Sequence, residues 1–291
     1  VLAIGTRFSD RSVGTFEEFE RNLKIIHMDV DPAEIGKNQT AQVAVVGDVK
    51  ASLRVMLKLL AKKVLKKSDG NNWLKHVNEV KDYWRENLKL HPGEMSAAKI
   101  LRKLREVLPK ESIVTTEVGQ HQMWAAQHYK FINPNSWLSS GGLGTMGYEI
   151  PSAIGAQIGA PNKTIWSICG DGGFQMTIGE LATVAENKLP IKYAILNNNH
   201  LGMITQWQGL FYNQDYQAET YTGNPDFVKL AEAYGIKGIR VSSKDEVENA
   251  IIEANKHNGP VLVDFVIEKV DDVYPICLLY TSDAADEEDS V

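Results

Sequence analysis

Two polar residues sit where apolar runs stop. Gly170-Asp171-Gly172-Gly173 follows the run Thr164 to Cys169, and Asn197-Asn198 closes the run Ile191 to Leu196. If both runs are strands with a helix between them, a carboxylate and a carboxamide lie at strand carboxyl ends. Open parallel sheets bind ligands there. Two hard oxygen donors suit Mg²⁺, which takes one or two carboxylates and completes its shell from a phosphorylated ligand. Gly172 and Gly173 let backbone N–H groups approach a diphosphate closely. The same letters would also serve an ordinary strand, turn and helix with Asp171 as N-cap.

The pairing of Gly-Asp-Gly with Asn-Asn across a strand–helix–strand unit resembles the thiamine-diphosphate motif. A second glycine cluster, Gly142-Leu143-Gly144-Thr145-Met146-Gly147, fits the dinucleotide fingerprint by letter. That fingerprint needs a strand directly before it and a helix opening within it. Here Asn133 to Ser136 precedes, and the stretch through Trp137 and Ser139-Ser140 reads as loop, which argues against a nicotinamide site.

Composition bounds the class. The chain has 291 residues, is 43% hydrophobic and 23% charged, and carries a net charge of −6. Those values fit a soluble globular protein of one large or two ordinary domains. No apolar run approaches the ~20 residues of a membrane span. Cys169 and Cys277 are too few for a disulfide framework and predict a reducing compartment, the cytoplasm. No basic cluster interleaved with aromatics appears, which disfavours nucleic acid as a partner. The chain starts abruptly in a strand. Cys277 to Glu287 resembles a translated sequencing-library adapter, so 277–291 is expected to be non-native. A natural acidic, disordered tail is the alternative. Without its five acids the net charge would rise from −6 to −1.

The elements alternate. Leu2–Gly5, Lys24–Met28 and Gln42–Val46 read as strands, and Pro32 to Gly36 as a turn or helix start. Val49–Val64 reads as an amphipathic helix with Leu53, Met56, Leu57 and Leu60 on one face. Ser68 to Asn72 breaks the pattern. Trp73, Val77, Val80 and Trp84 share helical spacing in a connecting helix that His91-Pro92-Gly93 ends. Met95–Leu108 and Tyr148–Ala160 predict helices, Ile113–Thr116 a strand, Gly119 a turn. Asn224-Pro225-Asp226 predicts an N-cap with Pro at N1. Ile239–Val241 reads as a strand. Ser243 with Glu246 forms a capping box for a helix to Lys256. Val261–Ile267 is an apolar strand apart from Asp264. Strands alternating with helices predict a doubly wound α/β sheet covered on both faces.

Further stretches carry a closer resemblance. They are Gly5 to Arg11, His27 to Asp31, Gly47-Asp48-Val49, Gly119 to Ala126, Ser140 to Gly144, Asn198 to Met203 and Gln206-Trp207. Together they resemble the acetohydroxyacid synthase large subunit over residues 1–276. The resemblance implies the C-terminal part of a Rossmann-like, FAD-associated central domain (1–67), a linker helix (68–93) and a thiamine-diphosphate domain (94–276). It also implies residue roles. Asp171, Asn198 and His200, the last through its carbonyl, would hold Mg²⁺. Gly170, Gly172, Gly173, Gln120 and His121 would line the diphosphate, and Leu201, Gly202 and Met203 belong to the same cofactor stretch. Gly144, Thr145 and Met146 would face the rings, with Met146 holding the cofactor bent. Trp207 would shape the pocket for the second 2-oxo acid. Gly5, Thr6, Arg7, Phe8, Ser9, Asp29, Val30, Asp48 and Val49 would contact a structural FAD. On residues alone Met146 and Trp207 could be core, and His121 a helix-surface histidine. The chain departs from the family's usual pattern at Ser9, where an Asp is usual, and at Thr115-Thr116-Glu117.

The implied activity is decarboxylation of pyruvate and carboligation to a second 2-oxo acid. The products would be 2-acetolactate or, from 2-oxobutanoate, 2-aceto-2-hydroxybutanoate, in branched-chain amino-acid synthesis. Implied partners are a second large subunit, as dimer or tetramer, and a small regulatory subunit. The family's activating glutamate lies in an N-terminal domain outside this sequence, so the 291 residues alone are expected not to make acetolactate. A glyoxylate carboligase, a pyruvate oxidase, or a non-catalytic homologue that only binds cofactor are the alternatives.

Overall fold

A computed structural model describes residues 1–13, 16–20, 23–63, 70–87, 93–220, 223–269 and 272–274. Val64, the break at Ser68 and Asp69, His91-Pro92, the Trp84 side chain and the tail at 277–291 lie outside the described residues. Val1–Asn87 belong to one compact unit and Leu88–Tyr274 form another.

In the first unit, β1 (Leu2–Ile4), β2 (Ile26–Asp29) and β3 (Val43–Val46) form a parallel sheet in that order. Two short helices, α1 (Asp10–Val13) and α2 (Phe16–Glu20), join β1 to β2. Pro32 to Gly36 forms turns rather than a helix. Ala3, Phe8 and Ile25 make a small core with Val13, Phe19 and Leu23 against it. Asp48 caps α3 (Val49–Ala61), its Oδ1 accepting the Ala51 N–H at 2.8 Å. Leu53 and Met56 are half-buried on α3, but Leu57 and Leu60 of the expected apolar face are exposed. The predicted connecting helix is α4 (Gly70–Asn87).

The second unit holds six parallel strands in the order β5-β4-β6-β7-β9-β8. Their ranges are β4 Ile113–Thr116, β5 Trp137–Ser139, β6 Ile165–Gly170, β7 Lys192–Asn197, β8 Lys237–Val241 and β9 Val261–Val266. Side chains alternate across a strand, so each apolar run feeds both faces. Trp166, Ile168, Ala194 and Leu196 join one core with α5 (Ala97–Val107), α6 (Gln120–His128) and α12 (Lys244–Lys256). Ile165, Cys169, Tyr193 and Ile195 join the other with α7 (Glu149–Gly159), α9 (Leu181–Glu186) and α11 (Phe227–Ala233). Between them α8 (Asp171–Phe174), a 3₁₀ turn (Gln175–Glu180) and α9 replace the single helix expected after β6, and α10 (Gly202–Phe211) follows β7.

Two expectations are corrected here. Trp137 to Ser139 is not loop but the edge strand β5. The Trp137 indole donates to Thr116 Oγ1 at 3.1 Å, stacks on Phe131, and is followed by Ser139, whose Oγ accepts from Thr116. A strand therefore does precede the glycine cluster, although α7 opens only at Glu149, after the cluster's last glycine. The N-cap of α11 is Asp226, which accepts the Val228 and Lys229 N–H groups, not Asn224.

Candidate functional site

The chain leaves β4 toward β5 and returns across β4 to β6, so strand order reverses between β4 and β6. Ligands bind outside strand carboxyl ends at such a switch point. Four loops gather along this edge, after β4, β5, β6 and β7.

After β6, Asp171 follows Gly170, the register partner of Leu196 on β7. Asp171 is only 2% exposed. Burial lifts it to about 6, against the pull of a hydrogen bond from Asn224 and of backbone N–H groups. Asn224 Nδ2 donates to Asp171 Oδ2 at 2.7 Å and to Asn199 Oδ1 at 2.9 Å. After β7, Asn199 takes a left-handed φ of +59°, which asparagine tolerates better than most residues. Asn198 is buried, and its Oδ1 accepts the His200 N–H at 3.1 Å. The His200 ring turns back onto the Asn198 carbonyl, Nδ1 to O 2.8 Å.

After β4, Gly119 starts α6. Glu117 and His121 are buried, with His121 Nε2 3.1 Å from Glu117 Oε1 but outside hydrogen-bond geometry. The His121 ring fills the space beside two glycines: a Cβ on Gly119 or Gly170 would lie 2.8 Å from its Nδ1. A Cβ on Gly173 would fall against Glu117 Oε1. A Cβ on Gly202 would likewise meet Gln120 Oε1, with Asn198 Nδ2 at 3.3 Å. Gln120 also donates to the buried Gln206 Oε1 at 2.9 Å. Thus Gln120, His121, Gly170, Asp171, Gly173, Asn198 and Gly202 are brought together. Behind them, burial first and Glu117 second push the Glu149 carboxyl well above the usual carboxylate range.

After β5, the Ser140–Tyr148 loop turns at Gly144 (φ +75°) and Gly147 (φ +80°), both left-handed. Ser140 Oγ accepts the Thr145 N–H at 2.9 Å. Gly144 lies beside Val118, so the loop reaches the β4 end, and Met146 is half-buried. Leu201, Met203 and Trp207 are half-buried on and just before α10.

The donor set at the β6–β7 edge fits a hard divalent cation. It offers a buried carboxylate, a carboxamide and backbone carbonyls. No Lys or Arg pairs with Asp171 among the described residues. No three His, Cys, Asp or Glu side chains gather there into a self-sufficient metal cage. Such a cation would therefore need oxygens from its ligand, as Mg²⁺ with a phosphate does.

Residues 117–265 match the thiamine pyrophosphate enzyme C-terminal TPP binding domain, and residues 1–56 match the thiamine pyrophosphate enzyme central domain. The chain belongs to the thiamine pyrophosphate enzymes. The matched stretch begins directly after β4 and holds β6, β7 and every loop of this edge. Among members of this family, the chain is 41% identical over 279 residues to the acetolactate synthase isozyme 2 large subunit of Escherichia coli, covering 95% of this chain and 49% of that protein. It is 44% identical over 286 residues to the acetolactate synthase of Mycobacterium leprae, covering 95% and 45%. It is 41% identical over 287 residues to the acetolactate synthase large subunit of Porphyra purpurea, covering 95% and 47%. The resemblance read from the motifs is thereby borne out as similarity along most of the chain. The chain spans about half the length of these thiamine pyrophosphate enzymes. Among the described residues no helix is long and apolar enough to cross a membrane.

The first unit's expected contact residues also share one strand edge. Gly5 donates to Met28 O, and Gly47 to Asp29 O, at 2.9 Å each. The Thr6 carbonyl is held by His27 Nε2 at 2.9 Å, and Phe8 turns at φ +50° with its ring on His27. Arg7 O accepts from Asn38. Ser9 O accepts the Ser12 hydroxyl, Val30 is exposed, and Val49 opens α3.

The sequence reading missed Asn224 as a site residue, and with it Gln175 and Gln206. Glu117 was noticed only as a departure. Its signal was indirect: glycines at 119, 170 and 173 leave room for Glu117 and His121.

Proposed function

We propose that the second unit is the cofactor domain of an acetolactate synthase large subunit. The observation that carries this reading is the buried Asp171 at the end of β6, beside Asn198 at the end of β7, in a chain so similar to acetolactate synthases. Asp171, Asn198 and the His200 carbonyl would hold Mg²⁺. Gly170, Gly172, Gly173, Gln120 and His121 would line the diphosphate, with Leu201, Gly202 and Met203 alongside. When bound, thiamine diphosphate supplies the carbanion chemistry that decarboxylates a 2-oxo acid and joins the remaining carbons to another.

The chain's own residues anchor, bend and exclude. Gly144 and Gly147 let the β5 loop turn toward the β4 end, so Gly144, Thr145 and Met146 would pack on the rings. Met146 would set the bent shape. Trp207 on α10 would bound the pocket for the second 2-oxo acid, pyruvate or 2-oxobutanoate. A structural FAD would lie against Gly5 to Ser9, Asp29, Val30, Asp48 and Val49 in the first unit. Asp29 and Asp48 each spend one oxygen locally and keep another for a ribityl or ribose hydroxyl. A second large subunit, a small regulatory subunit and the cytoplasm complete the proposal.

The test is product analysis on the full-length protein fed pyruvate. Acetolactate formation that requires both thiamine diphosphate and Mg²⁺ is expected. Acetate release with flavin reduction, and no acetolactate, would contradict the assignment.

A further inference from the structure

Asn224 reads in the sequence as a helix cap, but that work is done by Asp226. Asn224 lies two residues before that cap and reaches the site instead. Its Nδ2 donates to Asp171 Oδ2 at 2.7 Å and Asn199 Oδ1 at 2.9 Å, with Asn197 Oδ1 at 3.4 Å. Its Oδ1 accepts from Gln175 Nε2 at 2.8 Å, and Gln175 also donates to the Asp171 carbonyl at 3.1 Å. One amide thus ties the β6 loop, the β7 loop and the segment before α11.

The amide cannot turn over without loss. Flipped, it would set an oxygen against the Asp171 carboxylate and a nitrogen against a donor. The segment carrying it is fixed from behind. Arg240 Nη2 donates to Asp226 Oδ1 at 2.7 Å, and its Nε to Asp264 Oδ2 at 3.2 Å. Asp264 Oδ1 in turn accepts from Asn197 Nδ2 at 3.0 Å, which leaves Asn197 Oδ1 facing the Asn199 N–H. Arg240 therefore reaches the segment before α11 and the end of β7 through buried or half-buried partners.

We propose that Asn224 is a positioning residue that sets Asp171 and the Asn197–Asn199 turn for the divalent cation before it arrives. This rests on the reading of Asp171 and Asn198 as the cation site. Asn224 touches no reacting atom in this scheme. Its contribution is to hold the carboxylate at one rotamer and to leave the other oxygen for the cation. Loss of an outer partner of this kind typically costs about 10- to 100-fold in metal affinity or activity.

The experiment is a Mg²⁺ titration of the full-length protein at saturating thiamine diphosphate, followed by tryptophan fluorescence and by activity. Asn224→Leu, close in volume but without donors, is expected to raise the Mg²⁺ dissociation constant about 10- to 100-fold. Saturating Mg²⁺ should restore most of kcat, and Asn224→Gln should recover part of the affinity. Should Asn224→Leu fail to fold, Gln175→Leu, which frees the amide to rotate, should weaken Mg²⁺ several-fold. Asp171→Ala is run beside them. Loss of Mg²⁺ binding in Asp171→Ala with affinity within threefold of wild type in Asn224→Leu or Gln175→Leu overturns the positioning role alone. Unchanged Mg²⁺ binding in Asp171→Ala overturns the cation site itself, and the inference with it.

Discussion

The two sheets use carboxylates at their strand ends in opposite ways. In the first unit, Asp29, which is buried, and Asp48, which is exposed, each bond a backbone N–H two or three residues ahead. In the second, Asp171 is buried, and its side-chain partner Asn224 lies 53 residues away. A carboxylate bonded to its own turn shapes the chain locally. One that is buried and held by distant segments keeps an ionisable group where solvent would not. The first arrangement is cheap to form and says little about a ligand. The second costs desolvation, which the proposed cation would offset.

The largest contrast should appear in packing. Trp166 is fully buried between β6 and its helices and donates to Asn255 Oδ1 at 2.9 Å. Trp166→Ala should cost about 3–5 kcal/mol in urea unfolding. Leu57, 66% exposed on α3, should change stability by under about 0.5 kcal/mol when replaced by Ala. Equal losses at the two positions would mean that α3 is covered in the working protein.

Gly173→Ala comes next. Its methyl group would collide with the Glu117 carboxyl, so a loss of about 1–3 kcal/mol is expected, as for other overpacked sites. Adding Glu117→Gly should return most of it. A Gly173→Ala protein as stable as wild type would show that Glu117 moves freely.

A third test uses pH. Asp171 is raised from 3.8 to about 6 by burial. With the folded value above the unfolded one, its protonated form favours the fold, and that support disappears as pH rises from about 4 to about 6. Metal binding needs the ionised form, so Mg²⁺ affinity should fall about tenfold per unit below about pH 6. A flat Mg²⁺ affinity between pH 5 and pH 7, by calorimetry, would break that link. The smallest effect is on the first sheet's edge, where Asp48→Ala removes a helix cap. It should cost about 1 kcal/mol of that unit's stability and leave Mg²⁺ affinity unchanged.

How much of this could be read beforehand follows the same divide. Asp171 and Asn198 were legible because apolar runs end on them, and a period-2 strand delivers its last residues to the sheet edge. The helix expected over Met95–Leu108 was legible from local apolar spacing, and the one after Ser243 from its capping box. β5 was not, because three residues are too short for a period to show, and Trp137 is held by Thr116 and Phe131. Asn224 was misread because Asn-Pro-Asp satisfies helix-start chemistry twice over. Only partners 25 to 53 residues away decide which of the two caps the helix. Glu117 was obscure for the same reason: what its carboxyl meets is a missing Cβ on another strand's loop.

The central claim is that the β6–β7 edge is a cation site that serves a diphosphate. The most direct measurement is a crystal structure of the full-length protein with Mn²⁺ and thiamine diphosphate, using Mn²⁺ anomalous scattering. The account predicts one strong peak between Asp171 and Asn198, bridging to the diphosphate. A bound cofactor with its metal elsewhere, and Asp171 still held only by Asn224 and backbone donors, would contradict it.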